Sequence, residues 1–204
     1  MNKIGIFGGT FDPPHIGHQV LAAEAYVQLR LDRVLWVLTP DPPHKQSLQF
    51  APLDARQAMV NAAIASSTAF EFSRVEIDRA GPHYAYDTVR LIAEQHPGTA
   101  ISYLIGEDSL FDLPRWYRPQ DLVHACDEFG VMCRAGRSFP LEQLESTLPG
   151  ISAKIRYIDA PIIQISSSFI RERIATGGQF RYYLPEGVYR EIISRGLYTS
   201  KLAH

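Results

Sequence analysis

Apolar residues in this 204-residue chain gather in short blocks separated by longer periodic stretches. "KIGIFG" (Lys3–Gly8) and "RVLWVLT" (Arg33–Thr39) are near-continuous apolar runs, as strands covered on both faces should be. Between them Val20, Ala23, Val27 and Leu31 recur at helical spacing and predict an amphipathic helix over Ile16–Leu31. The same reading predicts a helix over Leu53–Ala65, a strand over Phe70–Ile77 and a helix over Tyr86–His96 that stops at Pro97-Gly98. "AISYLIG" (Ala100–Gly106), "EFGVMCR" (Glu128–Arg134) and "KIRYID" (Lys154–Asp159) are further strands. Helices over Ser167–Ala175 and Gly187–Arg195 follow, the latter stopped by Gly196. Regular β-α alternation predicts the α/β class: a doubly wound parallel sheet in a single domain over residues 1–204. Ligands in such sheets bind beyond the carboxyl ends of the strands, so candidate chemistry should fall just after strands.

Composition narrows the partners. A formal net charge of −2 argues against a broad nucleic-acid or anionic-membrane surface, so any phosphate chemistry must rest on a few placed cations. No apolar run reaches the roughly 20 residues of a membrane helix. The glycine loop follows Lys3 so closely that no signal peptide is expected, and Cys126 and Cys133 lack the spacing of a zinc or redox pair. A cytoplasmic protein with reduced core thiols is the expectation. Oligomeric state stays open, a homo-oligomer included.

The stretch "GGTFDPPHIGH" follows the first strand. Gly8 and Gly9 let backbone N–H groups approach an anion, and the helix that follows adds partial positive charge at its N-terminus. His15 and His18 are three apart, hence on one face of the first helical turn, with Gly17 removing bulk between them. A tight turn with incidental histidines is the bland reading. Zinc is another, but a closed site needs about four ligands, and only Asp12 and His44 stand near. Phosphate binding is preferred to zinc, and no protein metal site is expected. Near the far end, Ile165-Ser166-Ser167-Ser168-Phe169-Ile170-Arg171 opens a helix with three serines. Such serines cap helix N–H groups, and the same groups with Arg171 suit a polyphosphate. Arg173 reads as a solvated helix residue.

"GGTFDPPHIGH" and "ISSSFIR" resemble the paired signatures of the T/H-x-G-H nucleotidyltransferase superfamily, whose fold is Rossmann-like. The resemblance implies that His15 and His18 contact ATP phosphates and that Thr10 stands at the reacting phosphate. It gives Arg171 and the Ile165–Ser168 element the β- and γ-phosphates. Gly8, Gly9, Phe11 and Gly17 then belong to the ATP site, which helices from about residue 166 complete. Mg²⁺ is the implied cofactor, bridged mainly by ATP oxygens.

Four more stretches extend the resemblance over essentially the whole chain, toward bacterial-type nicotinate mononucleotide adenylyltransferases. They are "PPHK" (Pro42–Lys45), "GPHYAYDTVR" (Gly81–Arg90), "LIGEDSLFDLPRWYRP" (Leu104–Pro119) and "YYLPEGVYREIISRGLY" (Tyr182–Tyr198). The implied reaction joins ATP and nicotinate mononucleotide into deamido-NAD and pyrophosphate. Trp116 and Tyr117, just after Pro114, are expected on a loop where an aromatic face can stack on a pyridinium ring, a packed core tryptophan being the alternative. Lys45 offers a point charge to the acceptor phosphate. Arg134 reads equally as an acceptor contact or a surface charge. Asp108 is placed to accept from the ribose or adenine, with Gly106 permitting close approach. Tyr84, Ala85 and Thr88 fall in the acceptor segment, and Asp87 and Thr88 read more readily as a helix cap. Where the family commonly has Ser-Tyr-Thr, this chain has His83-Tyr84-Ala85; Ala85 offers no hydroxyl to a nicotinate carboxylate, only its backbone N–H. The acid-versus-amide choice therefore stays open. So do transfer to another phosphate acceptor such as phosphopantetheine and a nucleotide sensor without turnover.

Overall fold

The computed structural model describes residues 2–42, 49–132, 141–161 and 163–199. Among these, six strands form one parallel sheet: β1 (Lys3–Gly9), β2 (Arg33–Leu38), β3 (Phe70–Ser73), β4 (Ala100–Gly106), β5 (Glu128–Met132) and β6 (Ile155–Ile158). Their order across the sheet is β3-β2-β1-β4-β5-β6, so the winding reverses between β1 and β4. That reversal opens a crevice beyond Gly9 and Gly106, where a doubly wound sheet binds its ligand.

Side-chain alternation builds a core on each face. Ile4, Ile6, Leu35, Val37, Tyr103 and Val131 point to one side. They pack there against helices α3 (Ala85–Gln95) and α5 (Pro119–Ala125) through Val89, Ile92, Leu122 and Val123. Phe7, Val34, Trp36, Leu104 and Met132 point to the other side. Their partners are α1 (Ile16–Gln28) and α2 (Leu53–Ile64), through Ala22, Ala25 and Val60. A third cluster joins Met59 and Ala63 of α2 to α8 (Ser167–Ala175) and α9 (Glu186–Arg195) through Ile170, Ile174, Val188 and Ile192. The C-terminal helices are thus fastened to the sheet through α2.

The described residues depart from the sequence reading in three places. β3 ends at Ser73, not Ile77, because Asp78 N–H bonds to Arg74 C=O at 2.9 Å and the Arg74–Asp78 ion pair at 2.7 Å closes a turn. Four short helices went unread: α4 (Glu107–Asp112), α5, α6 (Leu141–Thr147) and α7 (Ile151–Lys154). α1 stops at Gln28 because Leu29 caps it and Arg30 turns left-handed at φ 54°. β5 is described to Met132, and Cys133 and Arg134 lie outside the described residues.

Candidate active site

Beyond the ends of β1 and β4 lies a cavity of about 840 Å³. Its wall includes Gly9, Thr10, His15, Gly17, His18, Gly106, Asp108, the Ile165–Ser168 stretch and Arg171. The two sequence motifs, more than 150 positions apart, therefore face one space. A Cβ built on Gly106 meets nothing within 4 Å, so the strand end is open to a ligand there.

The histidine pair is built with care. His15 and His18 rings lie 3.7 Å apart between centroids, tilted by 33°. His15 N–H donates to His18 Nδ1 at 3.1 Å, and an accepting Nδ1 places the neutral ring's proton on Nε2. Behind His18 stands Phe11, whose ring packs edge-on against it at 5.3 Å and stacks on Trp36 at 5.0 Å. Phe11 adopts φ 46° and is only 2% exposed, so it supports the histidine from the core while also lining the larger cavity. Two glycines serve the same packing. A Cβ on Gly9 falls 3.0 Å from the Phe11 ring, and one on Gly17 falls 3.0 Å from the His15 ring. Gly17 therefore makes room for His15 as well as lining the larger cavity. His15 is 6% exposed, and burial lowers its pKa to about 4. Near neutral pH it is a neutral hydrogen-bonding group, not a standing cation.

The serine motif divides its hydroxyls. Ser166 caps α8, its Oγ accepting from Phe169 N–H at 3.1 Å. Ser167 Oγ donates to the Pro13 carbonyl at 2.8 Å. Ser168 Oγ accepts from Arg171 Nη2 at 3.2 Å, while Arg171 Nη1 donates to the Asp12 carbonyl at 2.6 Å. The helix dipole, the serines and a guanidinium thus converge where an anion fits. Arg173 does not stand free in solvent as expected. Its guanidinium lies 4.9 Å from the Phe169 ring centre and 5.7 Å from that of Tyr183.

A second, smaller cavity of about 180 Å³ meets the first at Gly9 and Thr10. Gly8, placed by sequence at the ATP site, lines this smaller space together with Tyr84, Ala85, Thr88, Trp116 and Tyr117. Trp116 follows a 3-10 turn over Leu113–Arg115 and is half-buried, packed edge-on to Tyr103 at 6.3 Å. Tyr117 is 47% exposed and stacks on Tyr84 at 4.2 Å. Neither Asp87 nor Thr88 caps α3. Tyr84 holds that position without a side-chain bond, so the first N–H groups of the helix take no side-chain cap from it, and Ala85 at the helix start lines the cavity. Thr88 is buried, donating to Glu76 Oε1 at 2.5 Å and to the Tyr84 carbonyl at 3.2 Å. Lys45 lies, with Arg134, outside the described residues.

Comparison with known proteins fits this geometry. Residues 6–173 match the family model described as cytidylyltransferase-like. A nicotinate-nucleotide adenylyltransferase of Bacillus subtilis is 36% identical over 98% of this chain and 100% of its own length. A probable nicotinate-nucleotide adenylyltransferase of Geobacillus thermodenitrificans is 39% identical over 98% of this chain and 88% of its own. The chain belongs to the nicotinate-nucleotide adenylyltransferase family. Its fold agrees with Plasmodium falciparum nicotinic acid mononucleotide adenylyltransferase, solved with NaAD, at a TM-score of 0.78 and 21% identity over 97% of this chain and 98% of that one. Both motifs that meet at the larger cavity fall within the matched residues 6–173.

Three site residues escaped the sequence reading. Arg56 is 3% exposed, and its guanidinium donates to the carbonyls of Ala51, Thr39 and Pro40 at 3.1, 2.8 and 2.7 Å and reaches Thr10 C=O at 3.3 Å. It clamps the loops after β1 and β2 together, and its signal was an arginine on the apolar face with Met59 and Val60. Asp12 was weighed only as a metal ligand. It is buried, and its Oδ1 accepts from Ala51 N–H at 3.2 Å and Tyr198 Oη at 2.7 Å. Glu76 is buried at the smaller cavity, and burial raises its pKa against the Thr88 hydrogen bond. Nothing in an alternating strand pattern marked it, because its turn replaces the predicted strand end. Among the described residues no group of three or more histidine, cysteine or acidic side chains is arranged to hold a metal ion, and no helix is long and apolar enough to cross a membrane.

Proposed function

We propose that this chain transfers the adenylyl group of ATP to nicotinate mononucleotide, giving deamido-NAD and pyrophosphate, a step of NAD biosynthesis. The observation that carries the reading is the junction of the two cavities at Gly9 and Thr10, one lined by phosphate-binding groups and one by aromatic rings. ATP takes the larger space, and its triphosphate lies along Thr10, His15, His18, the α8 N-terminus and Arg171. The mononucleotide takes the smaller space, its pyridinium ring against Trp116 and its carboxylate at the N–H groups that open α3, from Ala85 onward.

An acceptor phosphate oxygen attacks the α-phosphorus in line, and the bond to pyrophosphate breaks. The attacking oxygen is already anionic, so positioning and charge stabilisation supply the catalysis. His18 Nε2–H and His15 donate hydrogen bonds to oxygens that gain charge, Thr10 orients the reacting groups at the junction, and Arg171 holds the leaving pyrophosphate. Asp108 accepts from the ATP ribose or base. The donors around the larger cavity are imidazole, hydroxyl, N–H and guanidinium groups that suit phosphate oxygens, so Mg²⁺ enters as part of the nucleotide substrate. Bound there it neutralises phosphate charge. The segment from about residue 166 belongs to the same functional unit as the sheet, since α8 supplies part of the phosphate site. An ATP-fed, reducing compartment, the cytoplasm, is the setting this reading implies.

The test is pyrophosphate release from Mg-ATP with nicotinate mononucleotide, the nicotinamide form and phosphopantetheine in parallel. Release with the acid mononucleotide and formation of the dinucleotide support the proposal. Release with phosphopantetheine alone overturns the acceptor, and ATP binding without release from any acceptor points to a sensor.

A further inference from the structure

Arg171 does not stand by itself. Its Nη1 donates to the Asp12 carbonyl at 2.6 Å and lies 3.7 Å from Asp12 Oδ2, an ion pair longer than a hydrogen bond. The other carboxylate oxygen, Oδ1, is held by Tyr198 Oη at 2.7 Å and Ala51 N–H at 3.2 Å. Asp12 is 2% exposed, so these contacts are made out of water, where a hydrogen bond to a charged group is stronger than at the surface. Tyr198 is set there by the end of α9: Gly196 ends the helix at φ 60°, Leu197 N–H returns to Ile192 C=O at 3.1 Å, and Tyr198 itself takes φ 62°. Burial and the Asp12 carboxylate raise the Tyr198 pKa, so the hydroxyl remains a donor across the working range.

We propose that Tyr198 is a positioning residue for pyrophosphate: its hydroxyl fixes the Asp12 carboxylate, and so fixes Arg171 at the cavity wall. The physical alternative open to Asp12 is rotation onto Arg171. A buried carboxylate that loses its hydroxyl donor gains most by pairing fully with the nearest guanidinium, which draws that cation away from an incoming anion. The C-terminal turn thereby controls a contact made from α8, although 186 positions separate Tyr198 from Asp12. This assignment rests on the proposed role of Arg171 at the leaving group, and it is tested by binding alone.

The experiment is calorimetry of inorganic pyrophosphate, with Mg²⁺, on the full chain and on Tyr198→Phe, Arg171→Lys and the double variant, with melting temperature recorded for each. Tyr198→Phe keeps the ring and removes one hydroxyl. Expected is a pyrophosphate Kd raised about tenfold by Tyr198→Phe, with nicotinate mononucleotide Kd within twofold of the unchanged chain. In the Arg171→Lys background the same change adds less than twofold, because the interaction it protects is already lost. A merely structural role lowers the melting temperature and multiplies freely with Arg171→Lys; full multiplication, or an unchanged pyrophosphate Kd, overturns the proposal. Pyrophosphate release from ATP by the unchanged chain is scored separately, so loss of the activity reading and loss of this assignment are told apart.

Discussion

His18 is fixed from three sides before any ligand arrives: its Nδ1 takes the His15 N–H, its ring meets Phe11, and Phe7 lies 6.0 Å away. Such preorganisation is what makes a donor effective where charge develops, since no reorganisation is needed at the moment of reaction. His18→Ala removes that donor and leaves the core intact. Adenylyl transfer should fall at least about 10²-fold in kcat, with the melting temperature near that of the unchanged chain. Near-normal turnover overturns the role. His15 makes a different prediction, about pH. Its folded pKa, near 4, lies below the unfolded value of 6.5, so the folded chain refuses a proton that the unfolded chain accepts. Stability from this group is fully present above about pH 6.5 and is lost as pH falls toward 4. Between pH 7.5 and pH 5 the unchanged chain should lose about 2 kcal/mol more than His15→Asn, read by urea unfolding at each pH.

At the scale of elements, tight approach of helix to sheet explains both what was legible and what was not. A Cβ on Gly130 of β5 falls 2.7 Å from Leu104 Cδ2, 2.8 Å from Leu29 Cδ1 and 3.0 Å from Ile158 Cδ1. Three side chains of separate elements converge on one missing methyl, so no single rotamer change relieves the contact. Gly130→Ala should lower stability by about 1–3 kcal/mol, seen as a lower urea midpoint with an unchanged slope. The sheet was readable because strands such as Val34–Leu38 are buried on both faces and carry no competing periodicity. α4 through α7 were not, because four to seven residues give too few turns for a 3.6-residue pattern to repeat. The same contrast holds in the site. Glycines, histidines and serines in improbable runs announced the two motifs, whereas Arg56, Glu76 and the Tyr198 hydroxyl act through partners that are distant in sequence. Only folding brings an α2 guanidinium to the carbonyls after β1 and β2, and the alternation that predicted a strand to Ile77 conceals a turn that turns Glu76 inward.

For the whole molecule, the winding reversal between β1 and β4 sets the two cavities on opposite faces of the sheet, and in the proposed function each holds one substrate. The larger cavity carries His18 and Leu21 of α1, on the side of Phe7 and Trp36; the smaller carries Ala85 and Thr88 of α3, on the side of Ile6 and Tyr103. Among the described residues only Gly9 and Thr10, at the end of β1, belong to both. Separate faces with one shared edge mean that a change deep in one cavity should leave the other substrate's binding nearly intact. Trp116→Ala tests this, since Trp116 lines the smaller space alone and its ring is held edge-on by Tyr103. Loss of one stacking surface is worth roughly 1–3 kcal/mol for a planar base, so KM for nicotinate mononucleotide should rise about tenfold or more. KM for ATP should stay within twofold, and calorimetric ATP binding should be unchanged. Equal weakening of both substrates contradicts the two-face assignment, because it requires Trp116 to act through the sheet edge and not on the ring beside it.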